Sequence, residues 1–357
     1  MVALPDGRWL VVDACFEHRS NLTADLLQHF GATSVDLLVL THPDLDHLRG
    51  ASTLLASAVR LWPWPHHGSI RRIAAMAAKR KGDKNYLELQ RLLDDLAVRV
   101  AEGLRLGNGG VGKPDWPEET NAQYQVISLA PNSYDLNTAG SEVDRIVEEG
   151  LKYNWVAAQA LLDGIITSGE IGDRPNRLSK AVVILWGSHR VLLAGDVENG
   201  LHARSGWRGI IDELSPTGNE SDRRDLLRAL TLVKIAHHGS SGAFLDDAWD
   251  LHCSGGSVAR AVVAPFSRGN VKAGYNPPSV ATLTSLRKRV QQLAVTATAG
   301  DAQDRAVASG WTATPTTRAR GRLRSPRWSC RLTAAQRGPS PASRPCSRRN
   351  WDERVVR

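Results

Sequence analysis

Apolar residues in this chain fall mostly into short runs and alternating stretches bounded by turn residues, the pattern of strands, with a few longer segments at helical spacing. Val35-Asp36-Leu37-Leu38-Val39-Leu40 is a run of strand length. Arg8 to Ala14 and Leu232 to Ala236 read the same way, and Leu61-Trp62-Pro63-Trp64-Pro65 reads as a further strand and its exit. Ala181 to Trp186, the turn Gly187-Ser188 and Arg190 to Asp196 predict a hairpin. Helices are expected over Leu48 to Ser57, Ile70 to Lys81 and Tyr86 to Leu104, the last two joined by Gly82-Asp83-Lys84. Ser141 to Ile166 carries Val143, Ile146, Val147, Leu151, Trp155, Ala158, Leu161 and Leu162 at three- and four-residue intervals, a stripe that belongs in a core or an interface. Gly107 to Pro117 has the Gly, Pro and Asn density of a loop. No internal repeat is apparent, and periodicity alone supports an α/β fold.

Candidate chemistry lies where the run at 35–40 ends. His42, Asp44, Asp46 and His47 fall within six residues of the stretch Thr41-His42-Pro43-Asp44-Leu45-Asp46-His47. A strand delivers the chain to a sheet edge, and the loop beyond it can fold these side chains around one or two cations. Carboxylate and imidazole together suit zinc, manganese or iron(II). Capping the next helix would use one such acid, and four potential ligands exceed that need.

The spacing H-x-D-x-D-H resembles the signature of the metallo-β-lactamase superfamily, in the variant found in the hydrolase domain of ComEC-type competence proteins and their soluble relatives. Three more motifs resemble that family in the same order. Arg8 to Ala14 looks like its early strand ending in an aspartate, Asp13. Asn176-Arg177-Leu178-Ser179 leads into the hairpin that ends in Gly195-Asp196. Leu232 to Ala236 runs into His237-His238-Gly239-Ser240.

The resemblance implies an αββα sandwich, two mixed sheets with outer helices, over roughly residues 1–300. It implies two divalent metal ions, zinc first and manganese or iron next. His42 and Asp44 would serve one, and Asp46, His47 and His237 the other, with Asp196 bridging. Asp13 would brace the metal loop, Asp46 would orient the attacking water, and His238 would protonate the leaving group. The implied activity is metal-dependent hydrolysis of phosphodiester bonds in nucleic acid or a nucleotide. Ester, thioester or lactam hydrolysis is the alternative enzyme, and a degenerate, non-catalytic binding protein is the alternative class. Two departures stand out. Asn276 occupies the place of a late histidine, and the histidine that many members carry between the first motif and Gly-Asp has only His66 and His67 as candidates.

Composition changes this picture little. At 42% hydrophobic residues the chain can build a core. No run approaches the roughly 18 apolar residues of a membrane span, and no secretory signal is visible. Cys15, Cys253, Cys330 and Cys346 show no paired spacing, so a reducing, cytoplasmic setting without membrane partners is expected. The formal charge is +8, but residues 301–357 hold 13 arginines and no lysine against 4 acids, a net of +9. The first 300 residues therefore carry 32 basic and 33 acidic groups, a net of −1, so overall charge does not argue for a nucleic-acid partner.

The 301–357 tail, rich in Arg, Pro, Ser and Ala, is expected to be disordered or read out of frame. The opening Leu4-Pro5-Asp6-Gly7 resembles the turn between the family's first two strands, so a truncated first strand is expected. Residues 69–120 read as a helical insertion whose first helix is basic.

Overall fold

The computed structural model describes residues 1–17, 20–65, 67–72, 74, 84–107, 111–119, 121–152, 176, 178–199, 202–215, 222–256, 258–265, 277–296, 312–315 and 330–333. In chain order the elements begin with β1 (Val2–Ala3), β2 (Trp9–Val12), β3 (Phe16–Glu17), β4 (Ser20–Asn21), α1 (Leu22–His29), β5 (Leu37–Val39), α2 (Leu45–Leu48), α3 (Ala51–Ala56) and β6 (Arg60–Trp62). There follow α4 (Lys84–Ala101), β7 (Arg105–Leu106), β8 (Pro114–Trp116), β9 (Tyr124–Ala130), α5 (Ser133–Lys152), β10 (Ala181–Trp186) and β11 (His189–Leu193). The chain continues through α6 (Gly206–Leu214), β12 (Leu232–Lys234), α7 (Asp246–His252), β13 (Val258–Val263), α8 (Val280–Arg289), β14 (Val290–Val295), β15 (Thr312–Pro315) and β16 (Cys330–Thr333).

Two mixed sheets result. The first has the order β1-β2-β5-β6-β7, antiparallel at β1 and parallel beyond. The second runs β15-β16-β14-β13-β12-β11-β10-β9-β8, with β11 to β14 parallel and both flanks antiparallel.

Alternation along the strands sorts the apolar side chains into three layers. Leu10, Leu37, Val39 and Trp62 of the first sheet meet Val126, Val182 and Ile184 of the second in a core between the sheets. The alternate residues Val11, Leu38 and Leu61 face outward onto Leu27, Leu54, Leu55, Leu89, Leu92 and Leu96 of α1, α3 and α4. On the other side Val183, Leu192, Val233 and Leu293 pack under Trp207, Ile210, Trp249 and Leu286 of α6, α7 and α8. The architecture is therefore αββα. Each large apolar side chain buried this way contributes roughly 1.5–3 kcal/mol.

Several elements differ from the sequence reading. The helix expected from Ser141 starts at Ser133, because Asn132 accepts a hydrogen bond from the Asp135 N–H at 2.9 Å and caps it. Its continuation beyond Lys152 lies outside the described residues. The expected loop at 107–117 contains β8, fixed by burial of Trp116 between the sheets. Residues 67–72 are helical, and the remainder of the expected basic helix is not described. The tail, expected to lack structure, contributes β16 and β15, which add antiparallel strands where β14 would otherwise leave an unpaired edge. The rest of 301–357 is outside the described residues. β1 is two residues long and pairs with β2 across the turn at Leu4 to Gly7. Among the described residues no helix is long and apolar enough to cross a membrane.

Candidate metal centre

Parallel strands β2, β5 and β6 end at one edge of the first sheet, and β11 and β12 end beside them in the second. The carboxyl ends of such strands are where α/β folds build sites. Thr41 and His42 follow β5 and are fully buried, and Asp44 and His47 are each 8% exposed. Asp196 follows β11 and is 3% exposed.

Hydrogen bonds behind these groups fix which way each imidazole points. The Thr41 hydroxyl donates to Asp13 Oδ2 at 2.7 Å, and the Thr41 N–H donates to Asp13 Oδ1 at 2.7 Å. Because the hydroxyl proton is committed to Asp13, His42 Nδ1, 2.9 Å from the Thr41 oxygen, is the donor of that pair. His47 Nδ1 lies 2.8 Å from Asp13 Oδ2 and also donates. His238 Nδ1 lies 2.8 Å from the Ala264 carbonyl, which can only accept. Each ring thus carries its proton on Nδ1 and turns an Nε2 lone pair inward.

All three lone pairs face one carboxylate oxygen. Asp196 Oδ2 is 3.5 Å from His47 Nε2, 3.7 Å from His238 Nε2 and 3.9 Å from His42 Nε2. Asp44 Oδ2 lies 3.6 Å from His42 Nε2. His42 Nε2, Asp44 Oδ1 and Asp196 Oδ1 are buried without a hydrogen-bond partner. Buried acceptors facing one another are costly unless a cation lies between them. Ligands at about 2.1 Å from a tetrahedral zinc sit about 3.4 Å apart, close to the separations here. Ligand atoms of His42, His47 and Asp196 all lie within 4.8 Å of one another. This donor set fits a divalent metal.

Protonation shows the same convergence. Burial pushes His47 down, but Asp196 and then Asp13 outweigh it and hold the imidazole well above its ordinary value. Burial pushes Asp196 up, yet His47, then His42 and Lys234, hold its carboxyl well below the usual range.

Local backbone geometry is built around this point. Gly195 has φ +54°, and a Cβ there would stand 2.2 Å from the Lys180 carbonyl oxygen and 2.8 Å from Ser179 Oγ. Only glycine lets Ser179 Oγ reach the Asp196 N–H at 2.9 Å while lying 3.4 Å from His42 Nδ1. His237, His238 and Gly239 are consecutive left-handed residues, with φ of +39°, +55° and +77°, and Asp13 has φ +57°. Such conformations cost non-glycine residues roughly 1–2 kcal/mol each and persist where surrounding contacts impose them. Here the His237 N–H donates to the Gly195 carbonyl at 3.1 Å.

The strained turn sends its two rings in different directions. His238, expected by resemblance to protonate a leaving group, presents Nε2 to Asp196. His237, expected as a metal ligand, pairs through Nδ1 with Glu198 and lies 3.2 Å from Ser240 Oγ. Burial lowers the His237 pKa, but Glu198 and then Asp196 raise it above its ordinary value. Asp46 lies in α2, with its side chain outside the described ones, and His66 and Asn276 are outside the described residues. His67 sits at the exit of β6 with Nδ1 3.2 Å from the Trp64 carbonyl, apart from the His42, His47 and Asp196 group. Sequence reasoning gave no role to Thr41, Glu198 or Lys234. Only their closeness to motif residues could have signalled them.

No protein-family model matches the chain, and no curated protein matches it. Among solved structures it is similar to Zn2+-bound PqqB from Methylobacterium extorquens, at 12% identity and a TM-score of 0.31. That match covers 65% of this chain and 57% of that protein's length. So distant a likeness carries no argument about the site, whose chemistry rests on its own geometry.

Proposed function

We propose that the chain is a divalent-metal-dependent hydrolase of the metallo-β-lactamase superfamily, related in its motifs to the ComEC-type hydrolase domain, and that it cleaves phosphodiester bonds. The observation that carries this reading is the convergence of three imidazole lone pairs on Asp196 Oδ2, beside orphaned acceptors on His42, Asp44 and Asp196. His42, His47 and Asp196 would hold one cation, zinc in the first instance, with His238 beside them at 3.7 Å from Asp196 Oδ2, and by the resemblance Asp44 and Asp46 would contribute to a second. Bound there, a metal supplies Lewis acidity and a hydroxide at neutral pH.

The chain's own groups do the rest. Asp13 and Thr41 hold the His42 and His47 tautomers that leave Nε2 open. Ser179 ties the Asp196 backbone to the His42 loop. His237, braced by Glu198, would serve as the proton donor, and by the resemblance Asp46 would orient the attacking water.

Activity tests the reading directly. After reconstitution with zinc or manganese, the wild type should hydrolyse bis(p-nitrophenyl) phosphate, and Asp196→Asn should lose at least about a hundredfold. Cleavage of p-nitrophenyl acetate alone would assign carbonyl chemistry instead. A metal-loaded protein inert toward both would point to a binding protein.

A further inference from the structure

The two sheets are unequal, and the core between them stops short. From the second sheet it takes residues of β8, β9 and β10, with Val191 and Leu193 of β11 at its margin and none from β12, β13 or β14. The outer faces of those three strands are covered, since Val233, Ala261, Val263, Leu293 and Val295 pack beneath the helices. Their alternate residues, Leu232, Lys234, Arg260, Val262, Gln292 and Ala294, form the inner face beyond the first sheet. Arg260 and Gln292 are exposed, and the other four are partly buried.

This face adjoins the metal centre and has one charge sign. Lys234 Nζ lies 3.5 Å from the Gly195 carbonyl and 3.9 Å from Asp196 Oδ1, with its side chain 28% exposed. Register pairs Lys234 with Val262, and Leu232 with Arg260. Arg260 therefore stands one strand over and two residues back, about 8 Å away between Cα atoms. Its guanidinium is exposed and has no ion-pair or hydrogen-bond partner among the described residues. None of the six inner-face residues is acidic.

We propose that this face of β12 to β14, which lies beyond the core shared with the first sheet, is the substrate-binding surface, and that its occupant is a phosphodiester-linked strand. Lys234 meets the phosphate nearest the metal centre and Arg260 meets the next. The inference rests on the phosphodiesterase reading, and it adds length dependence: a second phosphate gains a contact that a single phosphate cannot reach.

Fluorescein-labelled dithymidylate and octathymidylate, bound to the full chain in EDTA and followed by anisotropy across a salt series, test it. Every variant keeps the basic tail, so differences between variants report the sheet face. Arg260→Gln should weaken the octanucleotide about two- to fivefold and leave the dinucleotide unchanged. Its salt slope should fall by about 0.7, the loss of one single-strand phosphate contact. Lys234→Gln should weaken both ligands. Wild-type affinity in both variants, equal loss of both ligands in Arg260→Gln, or no binding of either by the wild type would overturn the proposal. Metal titration of the same protein separates the two ideas. Length-dependent loss in a chain that takes up no metal keeps the surface and removes the hydrolase reading. Metal-supported cleavage with no effect at Lys234 or Arg260 does the reverse.

Discussion

Asp13→Asn should disable the metal centre while leaving most of the fold intact, although residue 13 lies outside the proposed ligand set. Asp13 accepts three hydrogen bonds, from the Thr41 N–H, the Thr41 hydroxyl and His47 Nδ1–H. An amide keeps one acceptor for the Thr41 N–H and places an NH2 group against the other two donors. His47 relieves that conflict by moving its proton to Nε2, which then points at Asp196 as a donor and no longer binds metal. Loss of such an orienting partner typically costs ten- to a hundredfold in metal affinity, about 1.4–2.7 kcal/mol. The lost bonds to a carboxylate that is only 12% exposed should lower stability by about 2–4 kcal/mol, within a total of about 5–15 kcal/mol. Zinc affinity from competition with a chromophoric chelator, at a temperature where circular dichroism shows both proteins folded, reads the first effect. Urea unfolding in EDTA reads the second. Zinc affinity equal to the wild type in a folded Asp13→Asn protein would refute the tautomer argument.

Other outcomes follow from the same geometry. Gly195→Ala places a methyl 2.2 Å from a backbone oxygen at φ +54°, so urea unfolding should show a loss of at least about 2 kcal/mol and metal uptake should fall with it. Zinc at about a hundred times its dissociation constant should stabilise the chain by about 2.7 kcal/mol, a rise of about 4 °C in Tm that EDTA reverses. His252 is packed edge-on against Trp249 and Trp207, and burial pushes its pKa down to about 4, only partly offset by the Leu227 carbonyl. The unfolded chain therefore takes up this proton first, near its ordinary value of 6.5. The stability it supports is complete above that pH and falls by about 2 kcal/mol by pH 5. His252→Phe should flatten that part of the profile in urea unfolding, and an unchanged slope would contradict the assignment.

The grouping of the candidate site was legible in part because its residues sit in contiguous motifs shortly after strands. His42, Asp44 and His47 follow an apolar run, Gly195-Asp196 closes a hairpin, and His237-His238 follows β12. A single chain cannot show which ring of a pair faces inward. That choice between His237 and His238 is made by Ala264 and Glu198, one distant in sequence and the other a lone acid among many. The αββα layering was expected from the resemblance, whereas periodicity reached only α/β. Elements at 124–130, 206–214 and 258–263 escaped notice because they carry no motif, and their burial is set by partners far along the chain. The start of α5 was missed because its signal is one asparagine cap rather than the apolar stripe. The tail strands had none, being edge additions whose pairing is decided by the free side of β14.

The central claim is that His42, His47 and Asp196 form a metal centre, and bound metal per chain measured by elemental analysis tests it most directly. The wild type should retain about one equivalent or more of zinc, manganese or iron after purification, and His47→Ala and Asp196→Asn, folded by circular dichroism, should retain far less. A folded wild type with almost no metal after zinc reconstitution, or variants that hold as much as the wild type, would contradict it.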